Sequence, residues 1–310
     1  MVVQSEIGKN RRETEGKFKF RGEICIIACS VLWGCISVFS LPLNSLGFTS
    51  GQITFARSLL SALFLGVYIL IKDKRLFRVS PKDLFLFAFL GIGCFMTVCM
   101  FYTWSIELNG SLLAAMLMYT SHIWAVIMAR FMFKEKITLI KIIALCGVVG
   151  GCALLSLGGK LDISVKGMLV GLATGLTLAC YVVFGKLANK KYSAETTTFY
   201  VFLFSALGAA VIAPAWDMPS VIAAKPISLL YFVGLSFFST ALAYLLYSAG
   251  LKTVSAGKAS MMSTLEIVVA AIVGVFYHVH ISPLGYVGIV ITIASLVFLE
   301  IKGSFGRKTE

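Results

Sequence analysis

The chain has 310 residues, of which 59% are hydrophobic and 13% charged, and its mean hydropathy is +0.93. A water-soluble domain carries about 25% charged residues, so this composition excludes a soluble globular protein. The formal net charge of +13 would suit a nucleic acid partner. The basic residues, however, lie in short segments between long apolar runs, which is the pattern of a membrane protein and excludes that partner.

Apolar runs of about 20 residues recur along the chain after a basic N-terminal tail, residues 1–21. Runs of this length span a bilayer as helices, because a helix satisfies its own backbone hydrogen bonds in lipid. The sequence therefore predicts an all-α polytopic membrane protein. Its ten predicted spans are 22–42, 50–71, 82–104, 111–133, 138–157, 166–187, 196–214, 227–250, 257–277 and 283–301.

The distribution of lysine and arginine predicts the orientation of these spans. With the N-terminus inside, the inner segments hold 23 of these residues and the outer loops hold three, while Arg57 lies within a span. Cytoplasmic loops are enriched in positive charge. We therefore expect a multi-pass protein with both termini, including the tail 302–310, in the cytoplasm.

An internal repeat relates the two halves of the chain at a shift of 145 residues. The shift aligns Gly22 with Gly167, Pro81 with Pro226, and Tyr102 with Tyr247. Each block, 22–157 and 166–301, holds five predicted spans, and an odd number makes the second block enter the membrane from the opposite side. Such inverted repeats place a binding site near the membrane midplane between the halves, which favours a transporter that works as a monomer or homodimer.

Four stretches carry a resemblance to a known family. They are VLWG in the first span, FARSLLSALFL in the second, FKEKIT after the fourth, and AYLLYSAGLKTVSAGKASMMSTLEIVVAAIVG across the eighth and ninth. With the repeat, they make the chain resemble the EamA-domain branch of the drug/metabolite transporter superfamily. The resemblance implies an inner-membrane exporter of amino acids, other small metabolites or drugs.

The sequence departs from the family pattern at two places. Residues 265–267 read Leu-Glu-Ile where the family often has Leu-Glu-Pro, and His122 occupies the corresponding position of the first half. Without these prolines we expect no kink in either helix. The family's glutamate after the fourth span matches Glu135, but its counterpart in the second half is His280.

Two ionisable residues lie in the ninth predicted span. Glu266 is about nine residues into it, where a charge is costly and often functional. It is either the structural partner of a polar neighbour or a residue of the transport pathway and a proton carrier. Lys258 lies near the cytoplasmic end, where it either extends to the lipid headgroups through its apolar stem or forms a gate or an anion contact.

Arg57 and His122 are the other candidates within spans. Arg57 either pairs between helices or recognises a substrate carboxylate through its guanidinium group. His122 is either a hydrogen-bonded packing residue or a proton relay.

Aromatic residues away from the span ends are candidates for a substrate pocket, with packing and membrane anchoring as the alternative. A pocket walled by aromatic rings with few charges suits amphipathic or aromatic solutes. The candidates are Trp33, Tyr102, Tyr181, Tyr244 and Tyr247.

Other motifs point to packing and not to a cofactor. The eight cysteines lie in apolar segments without a CxxC pair, and the two histidines of HVH are weak evidence for a metal, so we expect neither disulfide nor metal site. Glycines at 147 and 151 and at 167, 171 and 175 have the spacing of close helix contacts. No phosphate-binding loop is present, so we expect an ion gradient, with protons as the coupling ion, to drive transport.

The leading interpretation is a secondary active transporter of small molecules by alternating access. The alternative within transporters is an organic-anion or nucleotide-sugar antiporter, which needs more basic residues near the midplane than Arg57 and Lys258. A membrane enzyme would need His, Asp or Glu clustered at one face. A scaffold or receptor would lack a central cavity.

Overall fold

The computed structural model describes residues 21–156, 164–213, 215–276 and 282–305, and the regular elements within these ranges are all helical. The all-α prediction is thereby confirmed for this part of the chain. The predictions for the basic tail up to residue 20, for His278 and His280, and for residues 306–310 lie outside the described residues.

Seven of the described helices are long and apolar enough to cross a membrane. They are α1 (Arg21–Ser45), α2 (Ser50–Lys72), α3 (Pro81–Leu108), α6 (Val165–Lys191), α7 (Ala194–Ile212), α8 (Ile227–Leu251) and α9 (Ala256–Val273). Three shorter apolar helices complete the set, namely α4 (Leu117–Phe133), α5 (Leu139–Ser156) and α10 (Pro283–Phe305, apolar over Pro283–Leu299). Each falls on one predicted span, although the number of membrane crossings stays a prediction.

Shorter helical elements connect or continue these helices. A 3₁₀ turn, Lys74–Phe77, follows α2, and a second, Ala215–Asp217, precedes the short helix Met218–Ala224 between α7 and α8. Helical backbone over Thr97–Tyr119 leads from α3 into α4.

Polar caps define where several helices begin. Thr49 and Gln52 form a capping box before α2, with the Thr49 backbone N–H donating to Gln52 Oε1 at 3.0 Å. Ser193 and Ser255 accept bonds from backbone N–H groups in the first turns of α7 and α9. Such caps satisfy amide groups that have no partner within the helix, which matters most in lipid.

The outer surface of the helices is apolar. Phe85, Phe131 and Val211 are each more than 80% exposed in the isolated chain. A soluble protein would bury large apolar side chains in such numbers, whereas a bilayer covers them. This surface fits the multi-pass membrane protein that the composition indicates.

The chain reverses direction between α3 and α4. A Cβ atom placed on Gly171 of α6 would lie 2.8 Å from Ser105 Oγ and 2.5 Å from Leu117 Cδ1. Twelve residues of straight helix would separate those two positions by about 18 Å. The turn therefore falls between residues 105 and 117, as the predicted boundary between the third and fourth spans requires.

Helices at corresponding positions of the two halves pack against each other. Helix α2 lies along α7, and α5 lies along α10. Each of these pairs joins segments about 145 residues apart, which is the repeat period found in the sequence. The second part of α1 packs on the first part of α8, and α3 and α4 pack along α6.

Glycine spacing on α5 and α6 allows these close contacts. Side chains or backbone of α10 occupy the space beside Gly147 and Gly151, and residues of α4 occupy the space beside Gly171 and Gly175. Small residues four positions apart let helix backbones approach, and both glycine motifs lie at such close helix contacts.

Gly151→Ala is expected to destabilise the protein, whereas Gly150→Ala, one residue away, is not. The new methyl group at 151 would lie 2.7 Å from the Gly288 carbonyl oxygen of α10, and a Cβ at 150 would meet no atom within 4 Å. Overpacking of this kind costs about 1–3 kcal/mol. Melting temperatures of the two purified variants in detergent test the difference, and equal values would contradict the close α5–α10 contact.

Several helices are interrupted within their length. Helix α1 has a turn at Cys35, α4 is broken at Thr120, and α9 is divided at Thr264 into Ala256–Ser263 and Leu265–Phe276. The expectation of unkinked helices was therefore wrong for α4 and α9. The cause is not proline, because the backbone N–H groups of both threonines bond three residues back, to Leu117 and Met261.

Helices α3 and α8 contain wider turns in place of breaks. Residues Phe89–Met96 and Phe237–Leu242 are π-helical. Such stretches are often found at functional sites because they displace the side chains that follow. All five irregular points lie at the middle of the helix bundle.

Candidate functional site

A cavity of about 120 Å³ lies where these irregular helices meet. Its walls come from α1, α3 and α4 of the first half and from α6, α8 and α9 of the second, which are corresponding helices of the repeat. Trp33, Tyr181 and Glu266 line it from positions well inside their helices. The cavity is therefore internal and shared by both halves.

Aromatic rings form one wall of this cavity, with Tyr244 of α8 at the centre. The Tyr244 ring centroid lies 4.8 Å from that of Trp33 and 5.6 Å from that of Tyr181. Tyr247 lies 5.0 Å from Trp33. These separations and the tilted or edge-on orientations are those of favourable aromatic pairs, so the rings hold one another in place.

Glu266 is the single Asp, Glu, Lys or Arg among the described residues that line the cavity. It lies in the first turn of the second part of α9, immediately after the break at Thr264. Within residues 21–156, 164–213, 215–276 and 282–305, no basic side chain forms an ion pair with it. The phenol groups of Tyr102, Tyr119, Tyr244 and Tyr247 lie within electrostatic range of its carboxyl group.

His122 links α4 to the break in α9. Its Nδ1 lies 2.8 Å from Ser260 Oγ and its Nε2 lies 2.9 Å from Thr264 Oγ1, and the ring stacks beside Tyr119. Ser260 and Thr264 stand on either side of the end of the first helical segment of α9. The imidazole thus fixes the broken helix, and with it the position of Glu266 two residues later.

Lys258 lies outside the cavity and is buried. Its Nζ is 2.6 Å from Glu23 Oε1 of α1, and the two side chains are 10% and 13% exposed. The expectation that Lys258 extends toward the lipid headgroups does not fit this burial. The ion pair joins the predicted cytoplasmic ends of α1 and α9.

A second polar cluster closes the same end of the bundle. Glu135, which follows the left-handed residue Lys134 at the end of α4, accepts a bond from the Ala256 backbone N–H at 3.1 Å. Its carboxylate also lies 3.5 Å from Lys141 Nζ and 3.7 Å from Lys186 Nζ. We call these three charged residues the Glu135 cluster.

Arg57 and Tyr102 do not line the cavity. The Arg57 guanidinium lies 5.1 Å from the centroid of the Phe95 ring, and Phe95 in turn packs edge-on against Tyr244. Tyr102 is close enough to Glu266 for an electrostatic interaction. Of the nine candidates from the sequence, the cavity brings together six, namely Trp33, His122, Tyr181, Tyr244, Tyr247 and Glu266.

Several residues at the site were missed in the sequence. Ser260, Ser263 and Thr264 line the cavity beside Glu266. Their spacing of three and four residues places them on one helix face, and this polar stripe within an apolar span was the signal available. Glu23 could not be selected in the same way, because nothing in the sequence links the start of the first span to Lys258.

An internal cavity shared by corresponding helices of two halves, inside a bundle with an apolar exterior, defines a polytopic helical membrane protein with a central cavity. Comparison with known families identifies it further. The EamA-like transporter family model matches the chain twice, over residues 20–157 and 165–301, and the chain belongs to this family. It is thus a transporter of the drug/metabolite transporter type.

Curated relatives and a solved structure agree with this assignment. An uncharacterized transporter of Archaeoglobus fulgidus is 29% identical over 257 residues, covering 83% of this chain and 87% of the relative. The uncharacterized transporter YwfM of Bacillus subtilis is 28% identical over 154 residues, covering 49% and 51%. A protein crystal structure at 15% identity superposes with a TM-score of 0.73 over 93% of this chain and 98% of the other, a likeness of fold alone.

Proposed function

We propose that this protein is a secondary active transporter that exports amino acids or related small metabolites or drugs by alternating access. In this proposal ten helices cross the cell membrane as two inverted five-helix repeats, with both termini in the cytoplasm. The two halves rock about the shared cavity and open it to one side at a time. Protons are the coupling ion, and a monomer or homodimer is the working unit.

The cavity is the observation that carries the proposal. Three corresponding helices from each half surround the cavity, and the five irregular points of these helices lie near it. Broken helices at a repeat interface are characteristic of substrate sites in secondary transporters. The pairing of α2 with α7 and of α5 with α10 supports a pseudo-two-fold arrangement, because each helix meets its own counterpart.

The charges around the cavity favour the binding of amine-bearing solutes over that of anions. The described lining holds one carboxylate, Glu266, and no lysine or arginine. An organic-anion or nucleotide-sugar antiporter would need basic side chains facing the substrate. The proposal therefore favours amino acids and amines over the antiporter alternative.

Counterflow in reconstituted vesicles tests the transport function. Vesicles preloaded with an unlabelled solute are expected to accumulate the same labelled solute transiently, for at least one member of a panel of amino acids and amines. Protein-free vesicles are the control, and an outward-directed solute gradient with an imposed pH difference tests direction and proton coupling. Absence of counterflow for the whole panel would contradict the proposed function.

A further inference from the structure

Resting on the proposed transport function but narrowing its substrates to one class, we propose that the site selects small primary amines with an apolar body, and that it discriminates against the corresponding amino acids and carboxylic acids. The Glu266 carboxylate would hold the ammonium group, the aromatic wall would hold the body, and Arg57 would take no part in binding. Each step depends on the placement of a charge or ring described above.

The first step is the charge of the cavity. Glu266 faces the cavity without a basic ion-pair partner in the described part of the chain, and the neighbouring hydroxyl groups are neutral. A carboxylate away from bulk water attracts a cation strongly, since little solvent screens it. A second carboxylate, brought in by a substrate, would be repelled and would lose its hydration without compensation.

The second step is the aromatic wall. Trp33, Tyr181, Tyr244 and Tyr247 present rings around the same space. Aromatic faces carry partial negative charge, so they stabilise an ammonium group as well as the methylene groups attached to it. The faces of these rings thus add to the preference set by Glu266.

The third step concerns Arg57, the side chain suited to an amino acid's carboxylate. Its guanidinium lies over the Phe95 ring at 5.1 Å, and it does not line the cavity. Phe95 contacts the ring of Tyr244 on the cavity wall, with centroids 5.2 Å apart. Phe95 thus contacts both the Arg57 guanidinium and the Tyr244 ring, and the described lining itself offers no guanidinium group to a substrate carboxylate.

The fourth step is size. A cavity of about 120 Å³ has room for a small solute. This room suits a compact monoamine, in which the charged head and a short branched or cyclic body touch opposite walls. Polyamines carry several separated charges, whereas the described lining offers one counter-charge, Glu266.

A matched set of three ligands isolates the charged groups. 3-Methylbutylamine, leucine and 4-methylpentanoate share one isobutyl body and carry an ammonium group, both charges, and a carboxylate respectively. The purified full-length protein in detergent is titrated with each ligand, and affinity is read from the concentration dependence of the melting temperature, since a ligand of the folded state stabilises it by mass action.

The amine is expected to bind at least about ten-fold more tightly than leucine and than 4-methylpentanoate, the effect of one charge-assisted contact. Glu266→Gln keeps the side-chain shape and is expected to abolish this preference. Glu107→Gln, at an exposed position remote from the cavity lining, is the matched control and is expected to retain it.

Three results would overturn the proposal. In the first, leucine binds the wild-type protein most tightly of the three ligands and binds the Arg57→Gln variant more weakly, which would show that Arg57 holds the carboxylate of leucine. 4-Methylpentanoate could bind most tightly, or none of the three ligands could bind. In the first two cases the counterflow assay still reports transport, so failure of the amine selectivity is distinguishable from failure of the transport function.

Discussion

Glu266→Gln is expected to reduce counterflow of a transported amine at least about ten-fold and to remove its dependence on pH. The substitution keeps the volume and removes the one carboxylate of the described cavity lining. Loss of a charge-assisted contact weakens the substrate complex by about 1.5–3 kcal/mol. In the wild-type protein, acidification protonates the carboxyl group and removes the same contact, so transport falls as pH falls, whereas the variant has no charge to lose.

Other titratable groups face Glu266, and the pH profile must be assigned among them. They are the thiols of Cys29 and Cys152, the phenols of Tyr102, Tyr119, Tyr244 and Tyr247, and the imidazole of His122. Thiols and phenols ordinarily titrate above about pH 8, but imidazole titrates near 6.5. A His122→Gln variant measured in parallel therefore separates the histidine from the glutamate.

Rates measured between about pH 5.5 and 8 in reconstituted vesicles provide the test. Glu107→Gln serves again as the control for reconstitution. An unchanged rate and an unchanged pH profile in Glu266→Gln would remove this residue from the mechanism. A profile that stays in Glu266→Gln but disappears in His122→Gln would assign proton sensitivity to the imidazole.

The sequence predicted the helical architecture because a segment that spans lipid must satisfy its own backbone hydrogen bonds, as a helix does. Apolar runs of span length mark each helix, and loop charge and repeat spacing mark their order. Trp33, Tyr181, Tyr244, Tyr247 and Glu266 could be selected for the same reason: polar or aromatic groups inside apolar runs are conspicuous. Their convergence on one cavity rests on tertiary packing, which periodicity does not encode.

The predictions for Arg57 and for the helices broken at Thr120 and Thr264 failed because they depend on tertiary contacts. Arg57 has the chemistry of a carboxylate site, but it packs over the ring of Phe95 and does not line the cavity. The breaks at Thr120 and Thr264 were missed because proline was the expected cause, whereas bonding to carbonyls three residues back interrupts these helices. Both outcomes depend on which neighbour fills a particular space.

Breaking the Lys258–Glu23 ion pair is expected to open the predicted cytoplasmic end of the bundle. The pair and the Glu135 cluster both attach the start of α9 to other helices at this end. At a shift of 145 residues the sequence has Leu113 opposite Lys258 and Met168 opposite Glu23, so no ionic pair of this kind is repeated at the other end. The closure at the cytoplasmic end is therefore the one that a single charge change can weaken.

Cys29 provides a reporter for this opening. It lies on α1, six residues beyond Glu23 toward the cavity, and is fully buried. In Glu23→Gln the Lys258 charge loses this counter-charge, at a cost of about 3 kcal/mol, which is the lower end for buried pairs because both side chains keep some exposure. Maleimide labelling is measured with and without Cys29→Ser in the same protein, so that the difference reports labelling of Cys29. This labelling is expected to become at least about ten-fold faster, since each 1.4 kcal/mol changes an equilibrium ten-fold.

A second ion pair on the same end of the bundle separates opening from general destabilisation. Lys72 and Glu195 join α2 and α7 at 2.6 Å, but Lys72 is 47% exposed, so Glu195→Gln is expected to cost no more than about 1 kcal/mol and to leave Cys29 labelling unchanged. The double exchange Glu23→Lys with Lys258→Glu restores opposite charges and is expected to slow labelling again. If Glu23→Gln lowers the melting temperature while Cys29 stays protected, the prediction is contradicted. The ion pair would then stabilise the helix bundle without controlling access to the cavity, because loss of a contact that controlled access would expose α1.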